Sequence, residues 1–423
     1  MMRILYNGFL RLMVPIVLLR LLWRGIRNRG YWYRWPERFA YAPKFPDKRR
    51  IWLHAVSVGE VRAAVPLIRE LLERYRDHAL LVTTMTPTGS DQLRSLFGNE
   101  VEHCYVPYDL PSVVRRFLQS TKPELALIME TELWPNLFQE CGKLGIPIIV
   151  SNVRMSQKSM DGYLKFKGLA TATLANVKYL ACQGEQDAAR MLAIGASEDQ
   201  VRITGSLKFE YRFPASLVEQ GDAYRQHWGG GRPVWVAAST RLGEDEKVLQ
   251  AYEELKRLHQ DLMLIIVPRH PERFTPVTRL AEKSGYRVKR RSDYPDLIPP
   301  DTDILVGDTM GELLLFISTS DVVFMGGSLV KTGGHNLLEP AAAGKPVVFG
   351  PHMYNFADIS RMVLERGAGI QINSASELAP VVDMYIKNTG VRFAAGQAGK
   401  ELVEQNRGAL EKNLKLVESV LGG

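Results

Sequence analysis

The segment IWLHAVSVGEVRAAVPLIRELLERY, residues 51–75, predicts a strand, a tight polar turn and an amphipathic helix in succession. The turn contains four residues whose types need an explanation: His54, Ser57, Gly59 and Glu60. Strand-to-helix turns of this kind lie at the carboxyl edge of a parallel sheet, where such sheets bind their ligands. Glu60 at a helix start is compatible with a plain helix cap and equally with a base that faces a cleft.

Apolar, β-branched runs alternate with helical patterns along the first half of the chain. The strand candidates after residue 75 are ALLVTT (79–84), VEHCYVPY (101–108), ELALIME (124–130), IPIIVSN (146–152) and KYLACQG (178–184). The helical segments between them begin with Thr, Ser or Pro and end in Gly. Continuous apolar runs are typical of strands buried on both faces, so the pattern predicts an α/β protein with a doubly wound parallel sheet.

The alternation stops over residues 205–233 and then restarts. The second set of strand candidates is PVWVAAST (233–240), LMLIIVPRHPER (262–273), DILVGDTMGEL (303–313), DVVFMGGS (321–328) and KPVVFGP (345–351). We therefore predict two doubly wound, Rossmann-like domains, hinged near residues 206–220, with a ligand-binding cleft between them. The predicted boundaries are 1–30 for an N-terminal segment, 31–210 for the first domain and 211–423 for the second, with the last helix packing back on the first domain as an alternative.

Positive charge is concentrated at the N-terminus. The chain has a formal charge of +8, but residues 1–50 hold twelve Arg or Lys against Glu37 and Asp47, a surplus of ten that leaves the remainder near −2. The apolar run at the start is interrupted by Arg11 and Arg20. We predict an interfacial helix that inserts apolar side chains into a membrane and places arginines at anionic headgroups. A helix docked on its own protein and a single-span anchor are the alternatives.

The segment MGGSLVKTGGHNLLEPAAAGKPVVFGP, residues 325–351, has features of a nucleotide site. Its paired glycines allow close approach of a ligand to the backbone, and a short helix opening at Asn336–Glu339 offers free amides to a phosphate. Two tight turns and a capped helix explain the same residues without a ligand. The segment is not a Walker A loop, because Val330 stands where that motif needs a glycine.

Two further turns follow predicted strands of the second domain. Pro268 and Arg269 lie at a strand end in VPRHPER, where a rigid loop that carries Arg is suited to phosphate. Thr309, Met310 and Gly311 lie at a strand-to-helix turn in GDTMGEL, with backbone amides available to a phosphate or a base. An ordinary helix cap is the alternative there.

The first domain has two more polar turns and a lysine at the hinge. METELWPN, residues 129–136, places Glu130 and Glu132 at the end of an apolar strand, where carboxylates are costly unless they are hydrogen-bonded or functional. TTMTPTGS, residues 83–90, is a hydroxyl-rich turn suited to sugar or phosphate, although helix capping explains it equally. Lys208 in GSLKFE is placed to neutralise a negative group in the cleft.

Several site classes are absent from the sequence. Asp301-Thr302-Asp303 matches the D-x-D pattern of metal-dependent sugar transferases, but it follows two prolines and is interpreted as a solvated loop. The sequence has no His/Cys cluster with zinc spacing, no G-x-S-x-G elbow and no G-x-G-x-x-G after its first strand. Its three widely spaced cysteines favour a reduced compartment. It has no basic groove interleaved with aromatic residues, so nucleic-acid binding is not predicted.

Seven motifs, in this order and spacing, resemble the Kdo transferases, the 3-deoxy-D-manno-octulosonic acid transferases of lipopolysaccharide synthesis. They are HAVSVGE, TTMTPTG, METELWPN, GSLKF, VPRHPER, GDTMGEL and GGHNLLEPAAAGKPV. The resemblance covers nearly the whole chain, including the apolar, basic N-terminus. It implies a GT-B fold, CMP-Kdo as donor and a lipid A precursor (lipid IVA) as acceptor. It also implies association with the cytoplasmic face of the inner membrane, and inverting transfer without a metal or other cofactor.

The resemblance also implies roles for individual residues. Glu60 corresponds to the general base, with Ser57 and Gly59 supporting its turn, and Glu130 and Lys208 correspond to positions that stabilise the donor or the transition state. The positions that match CMP-binding residues are Pro268, Arg269, Thr309, Met310, Gly311, His335, Asn336, Leu337, Leu338 and Glu339. Sugar-nucleotide 2-epimerases and a basic, membrane-bound nucleotide sensor are the alternatives to transfer. The oligomeric state and the number of Kdo residues added are left open.

Overall fold

A parallel seven-stranded sheet forms the centre of the first unit, which comprises Met1–Glu210 and Arg407–Gly423. The computed structural model describes residues 2–27, 29–41, 45–46 and 48–422. Met1 and Asn28 of the predicted segment 1–30 lie outside it, as do Lys44 and Asp47, which belong to the charge count for residues 1–50. The strands are β1 Arg50–His54, β2 Ala79–Thr84, β3 Glu102–Tyr105, β4 Leu125–Met129, β5 Ile148–Val153, β6 Tyr179–Cys182 and β7 Val201–Ile203, in the order β3-β2-β1-β4-β5-β6-β7. The helices are α1 Met2–Arg27, α2 Trp35–Arg38, α3 Val58–Arg74, α4 Pro87–Phe97, α5 Pro111–Thr121, α6 Pro135–Lys143, α7 Gln157–Leu164, α8 Lys167–Leu174 and α9 Glu185–Ala193.

A second parallel sheet of seven strands forms the centre of the second unit, Tyr211–Asn406. Its strands are β8 Val234–Thr240, β9 Met263–Pro268, β10 Val288–Arg290, β11 Ile304–Val306, β12 Val322–Met325, β13 Val347–Phe349 and β14 Gly369–Gln371, in the order β10-β11-β9-β8-β12-β13-β14. The helices are α10 Ala215–His227, α11 Asp245–Leu258, α12 Phe274–Glu282, α13 Leu313–Thr319, α14 Leu338–Ala342, α15 Ala357–Glu365, α16 Leu378–Lys387 and α17 Thr389–Gln405. The last helix, α18 Ala409–Leu421, belongs to the first unit.

Residues along the central strands alternate between two buried faces. In β1, Trp52 packs in one hydrophobic cluster, and Ile51 and Leu53 pack in the cluster on the other side. All five residues of β1 are buried, because helices cover both faces of the sheet. Burial on both faces is the physical reason why such strands are recognisable as continuous apolar runs.

The two predicted doubly wound sheets are confirmed, but three strands were not identified from the sequence. These are β7, β10 and β14, each of three residues and each at the edge of its sheet. Their residues are largely half-buried or exposed. Edge strands need no continuous apolar run, so the hydrophobic pattern does not mark them.

Each sheet has a point at which its strand order changes direction. β1 lies between β2 and β4, and β8 lies between β9 and β12. Doubly wound sheets bind ligands outside the carboxyl ends of the strands at such points. The turns that follow β1 and β4 in the first unit, and β8 and β12 in the second, are therefore where functional side chains are expected.

The chain returns to the first unit at its C-terminus. One carboxylate oxygen of Glu210 accepts the backbone N–H groups of Gly408 at 2.8 Å and Leu410 at 3.0 Å, at the start of α18. The hydroxyl of Ser151 in β5 donates to Oδ1 of Asn413 at 2.6 Å. Glu210 thus caps the returning helix, whose apolar face completes one core cluster of the first sheet.

The N-terminal helix α1 is mostly exposed and apolar. Its stretch Arg3–Ile26 is long and apolar enough to cross a membrane by length and composition, with a mean hydropathy of 1.6. Polar contacts attach its first turns to the first unit: the Tyr6 hydroxyl donates to Asp109 at 2.8 Å, and Nδ2 of Asn136 donates to Asn7 at 2.7 Å. The last turns of the helix contact Trp32, whose indole N–H donates to the carbonyl oxygen of Leu22 at 3.0 Å. The helix is therefore held near both ends, and many of its apolar side chains are exposed.

Candidate active site

Glu60 folds back onto the turn that precedes its own helix. α3 begins at Val58, with Ser57 as its N-cap. The Glu60 carboxylate accepts the backbone N–H of Val56 at 2.7 Å and the hydroxyl of Ser57 at 2.9 Å. This variant of the capping box fixes the side chain and leaves Glu60 only 7% exposed. Glu60 therefore does cap its turn, and the same contacts hold its carboxylate at the carboxyl end of β1.

Burial raises the pKa of Glu60 to about 7. The hydrogen bonds from Val56 and Ser57 favour the ionised form but do not offset desolvation, and the nearby charges of Glu130 and Glu132 raise the pKa further. A general base is most effective when its pKa lies near the operating pH. A solvent-exposed helix cap has no such shift, so the environment of Glu60 is that of a reactive carboxylate.

His54, at the end of β1, is a buried and neutral side chain. Its Nδ1 lies 2.9 Å from Oγ1 of Thr83, and its ring packs edge-on against Trp134. Burial lowers the pKa of His54 to about 4, so the ring is uncharged at neutral pH. It supports the turn through packing and offers no charge to it.

Glu130 and Lys208 form an ion pair, so the structure brings together two residues that the sequence analysis assigned to one site. Nζ of Lys208 lies 3.4 Å from Oε1 of Glu130, and the two side chains are 30% and 31% exposed. Glu130 follows β4 with a φ of 56°, in the left-handed region that is uncommon outside glycine. Strained residues of this kind concentrate at functional sites. Glu130 follows β4, the strand next to β1, and its charge lies within electrostatic range of Glu60.

Asn152 positions the segment that carries Lys208, and the sequence analysis missed it. Its Oδ1 accepts the backbone N–H of Leu207 at 3.1 Å and the hydroxyl of Ser206 at 3.3 Å. Asn152 itself has a φ of 58°, so the second-last residue of β5 also has a left-handed backbone. The only signal in the sequence was a polar residue at the end of the apolar run IPIIVSN.

The hydroxyl-rich turn over residues 83–90 has internal partners. Oγ1 of Thr83 accepts the indole N–H of Trp52 at 2.8 Å. Oγ1 of Thr86 accepts the backbone N–H of Gly89 at 3.1 Å and caps α4. These contacts favour the helix-capping interpretation of the turn over a sugar or phosphate site.

Gly59 is not required by the backbone of its turn. It lies in the first turn of α3, and a Cβ atom added there would meet only the Ser57 hydroxyl, at 3.8 Å. That is an ordinary van der Waals distance. The structure therefore shows no steric need for glycine here, and the supporting role of Gly59 stays a prediction, whereas Ser57 contacts the carboxylate directly.

In the second unit, the predicted donor-binding residues follow strands that are neighbours. β11, β9, β8 and β12 are adjacent in the sheet. Thr309–Gly311 follows β11, Pro268 and Arg269 lie at the end of β9, and residues 335–339 follow β12. The structure thus brings all three predicted segments to one edge, and β8 adds Arg241, which the sequence analysis missed.

Arg241 connects two of these segments. Its guanidinium contacts Nε2 of His270, and its Nε–H donates to Nε2 of His335 at 3.4 Å. Burial and the neighbouring charge of Arg269 lower the pKa of Arg241. Among the described residues, the Arg269 side chain has neither an ion-pair nor a hydrogen-bond partner. Two guanidinium groups at one strand edge suit the binding of a phosphate.

The predicted donor segments offer different atoms to a ligand. Met310 is 65% exposed, and the Thr309 hydroxyl donates to Glu312. Leu337 and Leu338 are buried, at 0% and 1% exposure, so only their backbone is available. Their predicted part in CMP binding therefore stays a prediction that rests on backbone contacts.

Asn336 and Glu339 order the start of α14. Oδ1 of Asn336 accepts the backbone N–H of Leu338 at 3.1 Å, and its Nδ2 donates to Glu339 at 3.3 Å. The helix itself covers Leu338–Ala342, slightly later than the predicted opening at Asn336. The carboxylate of Glu339 is thereby held at the same strand edge as Arg241.

Glu244, which precedes α11, anchors the glycine-rich loop and was also missed. Its two carboxylate oxygens accept the backbone N–H groups of Arg241, Gly327, Ser328 and Leu329 at 2.6–3.0 Å. Glu244 is completely buried. Four donors satisfy a carboxylate fully, so Glu244 is a structural support for this loop.

Glycines of this loop make room for protein atoms. A Cβ atom at Gly326 would lie 2.7 Å from the carbonyl oxygen of Ser239. One at Gly333, which has a φ of 95°, would lie 2.1 Å from Nδ2 of Asn355. These contacts favour the tight-turn interpretation of Gly326 and Gly333, and the close approach of a ligand to this loop stays a prediction.

Asp303 is a buried ion-pair residue and not part of a solvated loop. Its carboxylate accepts from Nζ of Lys256 at 2.8 Å and from Nε of Arg287 at 2.9 Å. Burial opposes ionisation, but these hydrogen bonds hold the pKa of Asp303 well below its usual range. The solvated-loop interpretation holds only for the exposed Asp301. Across the described ranges, no group of three or more His, Cys, Asp or Glu side chains is arranged to hold a metal ion.

Comparison with known proteins decides the family. The family model described as 3-Deoxy-D-manno-octulosonic-acid transferase (kdotransferase) matches residues 33–211. A 3-deoxy-D-manno-octulosonic acid transferase of Haemophilus influenzae is 37% identical over 424 residues, which cover 100% of this chain and 99% of that protein. The chain belongs to this family. Another Kdo transferase, from Bordetella pertussis, is 34% identical over 99% of each chain. The predicted resemblance is confirmed, and the chain is a transferase of this class.

A solved structure supports the architecture. The UDP-GlcNAc 2-epimerase from Neisseria meningitidis bound to UDP-GlcNAc matches with a TM-score of 0.55 and 13% identity, covering 88% of this chain and 100% of that one. At this identity the similarity shows the fold alone. With the two parallel sheets, it confirms the predicted GT-B architecture. The epimerase alternative loses its support, because the relatives at 37% and 34% identity are named Kdo transferases and the epimerase shares only the fold.

Proposed function

We propose that this chain transfers Kdo from CMP-Kdo to a lipid A precursor in lipopolysaccharide synthesis. The observation that carries the proposal is the Glu60 carboxylate, which is buried, held by Val56 and Ser57, and has a pKa of about 7. Transfer of a sugar to a hydroxyl needs a base of this kind. Family membership supports the class of reaction, and the names of the relatives support Kdo as the transferred group.

In the proposed reaction, Glu60 accepts the proton of the attacking hydroxyl. The acceptor oxygen forms a bond to the anomeric carbon of Kdo while the bond between that carbon and the phosphate oxygen of CMP breaks. CMP leaves with the electron pair of that bond. A single displacement inverts the configuration, and the proposed step uses no metal.

Charged groups of both units assist this step in the proposal. Lys208, held by Glu130, neutralises negative charge that develops on the donor or in the transition state. Arg269 and Arg241 bind the phosphate of CMP, because their guanidinium groups lie at the strand edge of the second unit. The amides of residues 309–311 and the segment 335–339 complete the proposed CMP site.

The proposed location is the cytoplasmic face of the inner membrane. Exposed apolar residues of α1, such as Leu12 and Leu19, support membrane association. Deletion of residues 2–24 is expected to release the chain from membranes and to leave the first unit folded, because Asp109 keeps its backbone partners at Asn136 and Leu137. Sedimentation of the truncated chain with membranes at high salt would contradict this.

One assay tests the reaction. The full chain is incubated with CMP-Kdo and tetraacyl lipid A precursor, with and without EDTA, and the products are weighed by mass spectrometry. We expect CMP release that depends on the acceptor, a lipid product heavier by one or more Kdo residues, and no loss with EDTA. Release of CMP without a heavier lipid contradicts transfer to lipid, and loss of turnover that magnesium or manganese restores contradicts the metal-free step.

A further inference from the structure

An apolar groove runs along the first unit between α1 and the α7–α8 region. Its volume is about 560 Å³, within the range of small-molecule sites. Three parts of the chain supply its walls: Leu5 and Phe9 from α1, Leu133 and Pro135 from the turn after β4, and Tyr163 and Phe166 from α7 and the residue before α8. Such a groove holds a hydrocarbon chain better than it holds a nucleotide or a sugar, because few polar groups line it.

One turn of the chain contributes residues both to the groove and to the candidate active site. Leu133 lies three residues after Glu130, and Trp134 donates its indole N–H to Glu132 at 2.8 Å. The ring of Trp134 also packs against His54 at the end of β1. The turn after β4 thus carries Glu130, the partner of Lys208, at its start and a wall of the groove at its end.

The exposed walls and the rim indicate what kind of molecule fits. Phe9 and Phe166 both line the groove and are 59% and 61% exposed, so they form part of an exposed apolar patch. The exposed Lys165 and Lys167 flank Phe166 on the chain. An apolar groove with exposed lysines next to one of its lining residues in the chain suits the acyl chain of an amphiphile that carries negative charge.

We propose that this groove binds an acyl chain of the lipid acceptor and aligns its sugar hydroxyl with Glu60. The inference rests on the proposed function, because it assumes an acylated, phosphorylated acceptor. It assigns Phe9 and Phe166 as specificity-determining residues for acylation. The rival occupant of the same surface is the bulk bilayer, which would use all of the exposed apolar residues of α1 without regard to the groove.

Matched variants separate these occupants. Phe9→Asp and Phe166→Asp place a charge in the groove, whereas Leu12→Asp and Leu164→Asp place the same charge at exposed apolar positions outside it. Each pair comes from the same part of the chain, so its members weaken general membrane association alike. KM for tetraacyl lipid A precursor is measured in mixed detergent micelles at a fixed mole fraction of lipid, with circular dichroism as a check of folding.

We expect KM for the acylated acceptor to rise by about tenfold or more in the two groove variants relative to their controls, because a charge would be buried against the chain. KM for CMP-Kdo is expected to stay the same in all four variants. Equal KM values for each variant and its control would overturn the inference and favour the bilayer as occupant.

Acyl-chain length provides a second measurement that does not depend on a folded variant. With the wild-type chain, shortening the acyl chains should raise KM by roughly fourfold for each methylene lost from the groove. A KM independent of chain length contradicts the groove. Failure of the wild-type chain to modify any phosphorylated acceptor, acylated or not, removes the proposed function itself, and the two failures are therefore distinguishable.

Discussion

Two glutamates occupy corresponding places in the two sheets and have different environments. Glu60 follows β1 and Glu244 follows β8, each at the switch point of its sheet, and each comes directly after a glycine. Both are buried, at 7% and 0% exposure. Glu244 accepts four backbone N–H groups, whereas Glu60 accepts one backbone N–H and one hydroxyl.

The number of donors explains the difference between them. Each hydrogen bond to a carboxylate favours its ionised form, and burial favours the neutral form. Four donors make Glu244 a support for the glycine-rich loop, while two donors leave the pKa of Glu60 at about 7. We therefore expect a buried carboxylate at a strand end to act as a base when its turn satisfies it incompletely, and to be structural when its turn satisfies it fully.

The largest expected effect tests this contrast directly. Glu60→Gln keeps the shape of the side chain, and Gln can still accept from Val56 and donate to the Ser57 hydroxyl. Turnover should fall by roughly 10²- to 10⁴-fold, as for a lost general base, while the melting temperature and CMP-Kdo binding stay near wild type. A rate, a thermal melt and a binding titration on one sample check this, and near-normal turnover would return Glu60 to the role of a cap.

Glu244→Gln is the matched control, with the opposite pattern. The NH₂ group of Gln would face backbone N–H groups from which it cannot accept a hydrogen bond. We therefore expect a loss of about 2–4 kcal/mol in the free energy of unfolding. The rate of transfer at saturating CMP-Kdo should fall less than it does in Glu60→Gln. Urea denaturation with a single-turnover rate separates the two variants, and an unchanged denaturation midpoint would contradict the role of Glu244 as an anchor.

Asp303 extends the comparison to a carboxylate that is satisfied by cations. Asp303→Asn leaves Lys256 with a buried, unpaired charge, and breaking such a pair costs about 3–5 kcal/mol. The exposed neighbour Asp301 serves as control, since Asp301→Asn should change stability by less than about 0.5 kcal/mol. A solvated Asp303, as the sequence analysis interpreted it, would make Asp303→Asn nearly neutral, and denaturant melts that show this difference exclude that expectation. Equal melts of the two variants would restore that expectation.

The pH dependence of stability reports the environment of Glu60. Its folded-state pKa of about 7 lies above the ordinary 4.5, so the folded protein binds more protons between these values and becomes less stable as pH rises through them. The interval corresponds to roughly 3 kcal/mol. The free energy of unfolding of wild type minus that of Glu60→Gln should therefore fall from pH 4.5 to pH 7.5. A constant difference would show that Glu60 has an ordinary pKa.

Ser57→Ala gives a smaller effect of known sign. The Ser57 hydroxyl favours the ionised form of Glu60, so its loss should move the pKa of Glu60 upward and shift the rising limb of the pH–rate profile to higher pH. The cost in stability should be about 1 kcal/mol. Gly59→Ala is the control for disturbance of the turn, because its added Cβ atom has room, and it should leave the profile in place. A Ser57→Ala profile that coincides with wild type would contradict the hydrogen bond.

Local patterns in the sequence identified most of the fold and the main elements of the candidate site. The predicted central strands and the helices that follow them depend on apolar runs and turn residues that lie close together in the chain. Motifs such as HAVSVGE and GGHNLLEPAAAGKPV were also enough to identify the family. The edge strands β7, β10 and β14 were missed, because three half-exposed residues form no pattern of their own.

The sequence by itself determined which residues lie at the strand ends, and only the tertiary structure decided their roles. Glu244 and the amide of Gly327 are 83 positions apart, and Asp303 and Lys256 are 47 apart, so no local pattern could reveal these partners. The pKa of Glu60 likewise depends on burial and on Glu130, which the β1–β4 pairing brings near. Hydrogen bonding and desolvation depend on distances in space, and long-range strand order sets those distances.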